Sequence, residues 1–273
     1  MFVDIKCSKS KNLKIYTGVP QGTVLGPLLF LLYINDAPVI KDVKNIIFAD
    51  DKGLFTHSFR IDTIINRLQK AVVRNKKFFE KWKIKINSDK TEAIIFSKRR
   101  PDLTNNISIQ GNIILWSDYV KYLGIILDSK LTFTKHINLK NQKAIALLIS
   151  LYPLLNRKSN LSPQNKKLLY ITLIRPVLTY ACEVWNFTSQ TNFNKLQVTQ
   201  NKFLRLIGKF RMFTPINEIH EALNVDMIKK YVKNRTENYF DKIIHHKNKL
   251  LNQIPYENKE CKHKQIMHII YNM

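Results

Sequence analysis

Asp50 and Asp51 stand side by side between two apolar runs, Ile46-Ile47-Phe48-Ala49 before them and Gly53-Leu54-Phe55 after. Adjacent carboxylates in such a setting are costly to desolvate unless something offsets their charge. A hard cation is the usual offset, and Mg²⁺ takes carboxylate oxygen. A solvated Asp-Asp turn leading into Lys52 is the alternative that an isolated pair also allows. Gly18, Gly22 and Gly26 are three of only seven glycines in the chain, and all fall in the stretch GVPQGTVLGP. They supply a backbone that a ligand can approach closely. An apolar run that reads as a buried helix follows, so this loop sits at a positively polarised helix start. Asn87-Ser88-Asp89-Lys90-Thr91 reads as a turn between strands. A lysine fixed near a metal-bound phosphate neutralises developing charge or donates a proton; without that neighbour Lys90 is an exposed turn residue.

The elements that must hold these residues follow from hydrophobic spacing. Leu28 to Ile34 predicts a buried helix, and Ile46 to Phe55 a strand-turn-strand hairpin with Asp50-Asp51 at its bend. Ile64, Ile65, Leu68, Ala71, Val72, Phe78, Phe79 and Trp82 recur at helical spacing, with Asp62 placed to cap the start. Ile84 and Ile86 alternate with lysines before the turn, and Ala93 to Phe96 predicts a strand. Ile107 to Ile109 and Ile113 to Leu115 flank Gln110-Gly111-Asn112 as a second hairpin, and Tyr122 to Leu127 reads as one buried strand. Beyond residue 128 the pattern turns helical: His136–Leu155, a start at Ser162-Pro163, Asn194–Ile207 and Glu218–His245. The stretch from His245 to Met273 has weak periodicity and reads as a frayed tail. No internal repeat is found. The chain thus predicts an α+β fold, with a mixed front part over 1–128 and an all-α part over 129–273.

Composition limits the rest. The 273 residues are 45% apolar, enough for one large core or two modest ones and unlike a disordered chain. The longest apolar run, Val24 to Ile34, is too short for a membrane helix and contains Gly26 and Pro27. The first residues lack the layout of a signal peptide. Three cysteines, Cys7, Cys182 and Cys261, lie far apart with no CxxC pair, which predicts a reducing, intracellular setting and no structural zinc site. The net charge of +25 suggests a polyanionic partner. A discount applies, because 35 of the 45 basic residues are lysine and arginine is the better bidentate phosphate ligand.

The ordered motifs then become specific. GVPQGTVLGPLLFLLYIND, FADD, KWKIKINSDKTEAIIF and VKYLGIILDSKLTF resemble, in that order, the reverse transcriptases of non-LTR retrotransposons, close to the jockey type of arthropod elements. SNLSPQNKKLLYITLIRPVLTYACEVW and LQVTQNKFLRLI resemble the region that follows the catalytic core in those polymerases.

The resemblance implies a partial polymerase palm over 1–128, an antiparallel sheet with helices, and a helical thumb or connection region over 129–273 ending in a basic tail. It implies an RNA-directed DNA polymerase with two Mg²⁺ ions (Mn²⁺ as an alternative) held between a first-strand Asp and the FADD pair. Asp50 would be the principal ligand and Asp51 the secondary one. Gln21, Gly22 and Thr23 would line the pocket for nucleotide and template, Thr23 keeping the hydroxyl where many relatives carry Ser. Lys90 would donate a proton to pyrophosphate, and the Tyr122-Leu123-Gly124 turn would support the primer end. The implied partners are an RNA template, a DNA primer or duplex, and dNTPs, with no membrane.

The family pattern also places fingers and a first palm strand, with its metal-binding Asp, upstream of GVPQG, and only 17 residues precede Gly18 here. Asp4 lies too close to Gly18 to be that ligand and is followed by Ile5-Lys6 rather than an aromatic. The expectation is a piece of a longer polyprotein whose upstream part is missing. Loss of a metal ligand would slow transfer by about 10³-fold or more, so this chain alone is expected to be a poor or inactive polymerase, with a sheet edge left open. The alternative is a non-catalytic nucleic-acid-binding remnant of a decayed element; an unrelated basic α+β protein is set aside by four motifs in family order. His245-His246 reads as a solvated face, Trp82, Trp116 and Trp185 as core anchors, Cys182 as a buried small hydrophobe, and Lys98-Arg99-Arg100 as a short basic run.

Overall fold

The computed structural model describes residues 4–5, 8–12, 14, 22–98, 105–156, 158–208, 210–211, 213–248, 251 and 269–272. It is a mixed helix-and-strand structure with small antiparallel sheets. Two compact units divide it: residues 1–92 with 103–115 and 269–273, and residues 93–102 with 116–268.

In the first unit, β1 (Asp4–Ile5) pairs antiparallel with β2 (Ser8–Lys9). The apolar run after the glycine-rich loop forms α1 (Leu25–Ile34), where Thr23 Oγ1 accepts from the Gly26 amide at 3.2 Å. The expected burial of this helix does not hold among the described residues. Only Gly26 and Ile34 are buried, while Leu25, Leu28, Leu31 and Leu32 each leave more than half their surface exposed. A helix apolar all round needs cover on every side, and the described residues cover one. Tyr33 anchors it: its hydroxyl donates to the Trp82 carbonyl, and the two rings meet edge-on at 4.8 Å.

β3 (Lys44–Phe48) and β4 (Asp51–Phe55) form the expected hairpin, in a register that sets Phe48 opposite Asp51. α2 (Ile61–Lys81) carries the expected stripe, burying Ile64, Ile65, Leu68, Ala71, Val72 and Phe79. Its cap position is Arg60, and Asp62 lies inside the first turn, where a carboxylate favours the helix dipole rather than capping an amide. Ile84 and Ile86 form no strand, although Ile86 is buried. Residues 88–90 make one 3₁₀ turn, and the continuous part of the unit ends at Glu92, the first residue of β5 (Glu92–Ile95), whose other three residues count with the second unit. β6 (Ile107–Ile109) and β7 (Asn112–Ile114) form the second hairpin around Gln110 and Gly111, both with positive φ.

The second unit begins with another hairpin. Tyr122 to Leu127 is not one strand but parts of two, β8 (Tyr119–Tyr122) and β9 (Ile125–Asp128), joined by Leu123-Gly124. Asp128 organises the following loop. Its carboxylate is buried and accepts from the amides of Lys130, Thr132 and Phe133, at 3.2, 2.9 and 2.6 Å, and from the Thr132 hydroxyl.

The remainder is helical: α3 (Thr134–Leu155), α4 (Pro163–Leu169), α5 (Arg175–Leu178), α6 (Cys182–Trp185), α7 (Gln190–Ile207), α8 (Ile216–Leu223) and α9 (Ile228–Ile244). Ser162 caps α4 as its sequence predicts, accepting from the Asn165 amide with Pro163 in the first turn. A π-helical turn, Tyr170–Ile174, joins α4 to α5 just before Pro176. The single helix expected over Glu218–His245 is two, because Asn224 takes the left-handed conformation that ends α8. Trp185, Cys182, Tyr170 and Phe203 are fully buried in this unit. The C-terminal stretch contains a strand, β10 (Ile269–Asn272), which belongs to the first unit and pairs antiparallel with β4, Asn272 opposite Gly53.

Candidate active site

The β3-β4 register fixes where the two carboxylates stand. With Phe48 opposite Asp51, the bend between the strands is Ala49 and Asp50, and Ala49 adopts φ +52°. Such a conformation costs a non-glycine residue about 1 kcal/mol, which the paired strands hold in place. Asp50 and Asp51 are both exposed, and neither carboxylate makes a hydrogen bond or ion pair with another described residue. The next residue along β4, Lys52, points the other way and is buried.

These carboxylates suit a hard divalent ion in their chemistry: oxygen donors, accessible, and uncommitted to any described partner. No group of three or more His, Cys, Asp or Glu gathers among the described residues, so the pair is a two-carboxylate donor set. Asp4 is a strand residue opposite Lys9.

Lys90 ends the 3₁₀ turn and is exposed. Asn87 Oδ1 accepts from the amides of Asp89 and Lys90, at 3.1 and 3.3 Å, and Asn112 Nδ2 donates to the Ser88 hydroxyl at 2.8 Å. The turn is therefore fixed from the β6-β7 hairpin, while the Lys90 ammonium makes no ion pair with either aspartate. Gly22 is exposed, with φ +84° and open space where a Cβ would stand. Thr23 is exposed with its hydroxyl at the start of α1. Gln21 lies outside the described residues, as do Gly18, Arg99 and Arg100.

The Tyr122-Leu123-Gly124 turn belongs to the second unit. Leu123 and Gly124 both take positive φ, +46° and +77°, as a tight hairpin bend requires. The Tyr180 hydroxyl donates to the Leu123 carbonyl at 2.8 Å. Lys140 Nζ stands 3.9 Å from the Tyr180 ring centroid. Burial lowers the Lys140 pKa, as do the nearby Lys143 and Lys121. Burial also pulls His136 down to about 4, so that its Nδ1 accepts from the Ile126 amide at 3.2 Å. An open groove of about 640 Å³ has Asp118, Asp128, Lys130 and Lys135 in its wall, and its mixed charge is unlike a phosphate cradle.

Sequence reading missed Tyr180 and Lys52. Tyr180 lay within a motif, but nothing in its spacing marks its reach to a turn 57 residues away. Lys52 directly follows the aspartates and enters the sequence reading only as the residue after the alternative solvated Asp-Asp turn. Of the other expected core residues, Trp185 is fully buried and Trp82 and Trp116 are half-buried, and Cys182 is buried. His245 and His246 are exposed.

Comparison with known proteins gives the chain relatives. The family model described as reverse transcriptase (RNA-dependent DNA polymerase) matches residues 1–127. The probable RNA-directed DNA polymerase from transposon BS of Drosophila melanogaster is 29% identical over 253 residues, 89% of this chain and 28% of that protein. The probable RNA-directed DNA polymerase from transposon X-element of the same species is 30% identical over 247 residues, 88% of this chain and 27% of that protein. The RNA-directed DNA polymerase from mobile element jockey of D. melanogaster is 28% identical over 260 residues, 92% of this chain and 28% of that protein. The chain therefore spans a little over a quarter of the length of these relatives. No solved structure matches it. The reverse transcriptases work with divalent metal ions and on nucleic acid. The bend at Asp50-Asp51 lies inside the region that matches the reverse transcriptase model, and along nearly nine-tenths of its length this chain is similar to the reverse transcriptases of non-LTR, jockey-like retrotransposons.

Proposed function

We propose that the chain is the palm-to-thumb part of an RNA-directed DNA polymerase that extends a DNA primer on an RNA template with dNTPs. Residues 1–128 act as a partial palm and 129–273 as a helical thumb or connection region. The observation that carries this reading is the tip of the β3-β4 hairpin, where two adjacent carboxylates stand exposed and uncommitted. Asp50 is the principal metal-holding residue and Asp51 the secondary one, for Mg²⁺ or in its place Mn²⁺. When bound, the ions would lower the barrier to attack by the primer 3′-hydroxyl and stabilise charge on the leaving group. A further carboxylate from outside the described residues completes the donor set, and the open sides of α1 fit cover by another part of the longer protein.

In the reaction the 3′-oxygen attacks the α-phosphorus, the bond to pyrophosphate breaks, and the hydroxyl proton passes to solvent water. Gln21, Gly22 and Thr23 line the nucleotide pocket; the open space at Gly22 allows close approach by a phosphate or base. Lys90, fixed by its turn, donates a proton to the departing pyrophosphate. The Tyr122-Leu123-Gly124 turn supports the primer end, with the neighbouring lysines contacting phosphates.

The test is primer extension on an RNA template with Mg²⁺, using the longer polymerase that contains this chain and its Asp50→Ala variant. The reading expects extension that falls by about 10³-fold or more in the variant. Unchanged extension in Asp50→Ala overturns the assignment. Salt-sensitive nucleic-acid binding with no extension by the longer protein would favour a non-catalytic remnant instead.

A further inference from the structure

The bend between β8 and β9 is chemically unexpected. A two-residue bend with positive φ at both positions favours Asn-Gly or Gly-Gly, yet Leu123 occupies the first place at φ +46°. A branched apolar residue holds such a conformation only where its surroundings over-determine it. One side chain reaches this bend from far along the chain. Tyr180 donates its hydroxyl to the Leu123 carbonyl at 2.8 Å, and a Cβ built on Gly124 would meet that hydroxyl at 3.1 Å. Tyr180 thus contacts both residues of the bend, and a side chain at Gly124 would displace it.

Tyr180 is itself held from behind. Its carbonyl accepts from Trp185 Nε1 at 2.8 Å, and Trp185 is fully buried. The next residue, Ala181, turns the chain with φ +52°. The outer side of the ring is not buried: Tyr180 is 42% exposed and the Lys140 ammonium stacks on it at 3.9 Å. Lys121, one residue before Tyr122, and Lys143 share the electrostatic environment of Lys140. An aromatic hydroxyl locked on a strained bend, beside gathered ammonium groups, joins a fixed shape to an anion-attracting surface.

We propose that Tyr180 is a positioning residue, whose bond to the Leu123 carbonyl sets the Leu123-Gly124 bend in the shape that seats the 3′-terminal nucleotide of a DNA strand. The proposal rests on reading this turn as the support of the primer end. The lysines supply affinity without regard to the strand's end, and the latched bend supplies preference for the end.

The test uses this chain with two DNA duplexes of equal length, one with a recessed 3′ end carrying 2-aminopurine at its terminal position and one blunt, alongside amide hydrogen exchange at Gly124 and Ile125. Tyr180→Phe keeps the ring and removes only the hydroxyl. Its expected effects are an unchanged melting temperature, exchange about fivefold faster at the two amides, and a similar loss of preference for the recessed end, with the same salt dependence. Lys140→Gln is expected to weaken both duplexes alike and leave the preference intact. Preference and exchange rates unchanged in Tyr180→Phe overturn the role of Tyr180. So does faster exchange with the preference retained, which reduces the bond to a purely structural one. A wild-type chain with no preference for the recessed end instead overturns the reading of the turn on which the proposal rests.

Discussion

Lys52 Nζ donates a hydrogen bond to Asn75 Oδ1 inside the core of the first unit, and the same ammonium lies 4.9 Å from the Phe79 ring centroid. Asn75 Nδ2 donates in turn to the Ala71 carbonyl one turn back on α2, at 2.8 Å. No carboxylate pairs with Lys52 among the described residues. A buried cation held by one amide and one ring is an expensive arrangement.

Burial lowers the Lys52 pKa to about 8, and the pH dependence follows in sign. The unfolded chain keeps this proton up to about pH 10.4, whereas the folded chain releases it near 8. Between those values the unfolded state binds more protons, so stability rises with pH across that window, and below it the group costs on the order of 3 kcal/mol. Urea unfolding of the wild type and Lys52→Met at pH 7, 8, 9 and 10 checks this. The variant is expected to be more stable at pH 7, and its advantage to shrink as pH rises. An advantage constant with pH would refute the assignment.

Asp128→Ala should be among the more damaging substitutions in the second unit. It leaves three backbone amides of the following loop without their acceptor, and a buried donor without a partner costs about 1–3 kcal/mol. The expected loss is about 3 kcal/mol in chemical denaturation. Asp128→Asn, which keeps one acceptor oxygen, should lose less.

Cys182 should be unreactive in the folded chain. Burial, and then the neighbouring Glu183 carboxylate, push its thiol up to about 12. In a Cys7→Ser, Cys261→Ser chain, Ellman's reagent at pH 8 is expected to label Cys182 about 100-fold more slowly than a free thiol, and at the normal rate after unfolding. Rapid native labelling would show that the core around Trp185 opens readily.

The open face of α1 predicts the solution behaviour of the isolated chain. Leu28, Leu31 and Leu32 should bind a hydrophobic dye and draw copies together, since large apolar patches mark interaction surfaces or aggregation sites. Leu28→Lys with Leu32→Glu is expected to reduce dye binding and raise solubility, with little change in melting temperature because both residues are more than half exposed. Aggregation that persists at the same level would point to another surface.

Elements with a clear period or a distinctive bend were legible in the sequence. The β3-β4 hairpin follows from apolar runs on both sides of a charged pair, the β6-β7 hairpin from Gln110-Gly111-Asn112, and α2 from its stripe. The β8-β9 hairpin was hidden because Leu123 is an apolar residue at a bend, and the run from Tyr122 to Leu127 therefore looks continuous. The break at Asn224 was hidden because asparagine is also tolerated within helices, and only its left-handed φ shows the stop. The residue types of the candidate site were legible, because carboxylates and glycines declare their chemistry. The exposure of α1 was not, since a helix that expects cover looks the same in one dimension whether or not its cover is present. Tyr180 was unreadable for a related reason: its role is a contact across 57 residues, and periodicity carries no information at that range.

The π-helical turn at Tyr170–Ile174 gives the second unit a phase. Such a turn accommodates one residue more than a regular helix allows, and it ends two residues before Pro176, which has no amide to donate backward. Deleting one residue there would close the wide turn into a regular helix and leave everything downstream in nearly the same phase, because the extra residue is what the turn absorbs. Leu178 would keep its place in the core and Tyr180 its reach to the Leu123 carbonyl. The same deletion in a regular helix such as α7 would rotate all that follows by about 100° about the axis, with a shift of about 1.5 Å. Natural variants of this segment are therefore expected to differ in length by one residue here more readily than within α7.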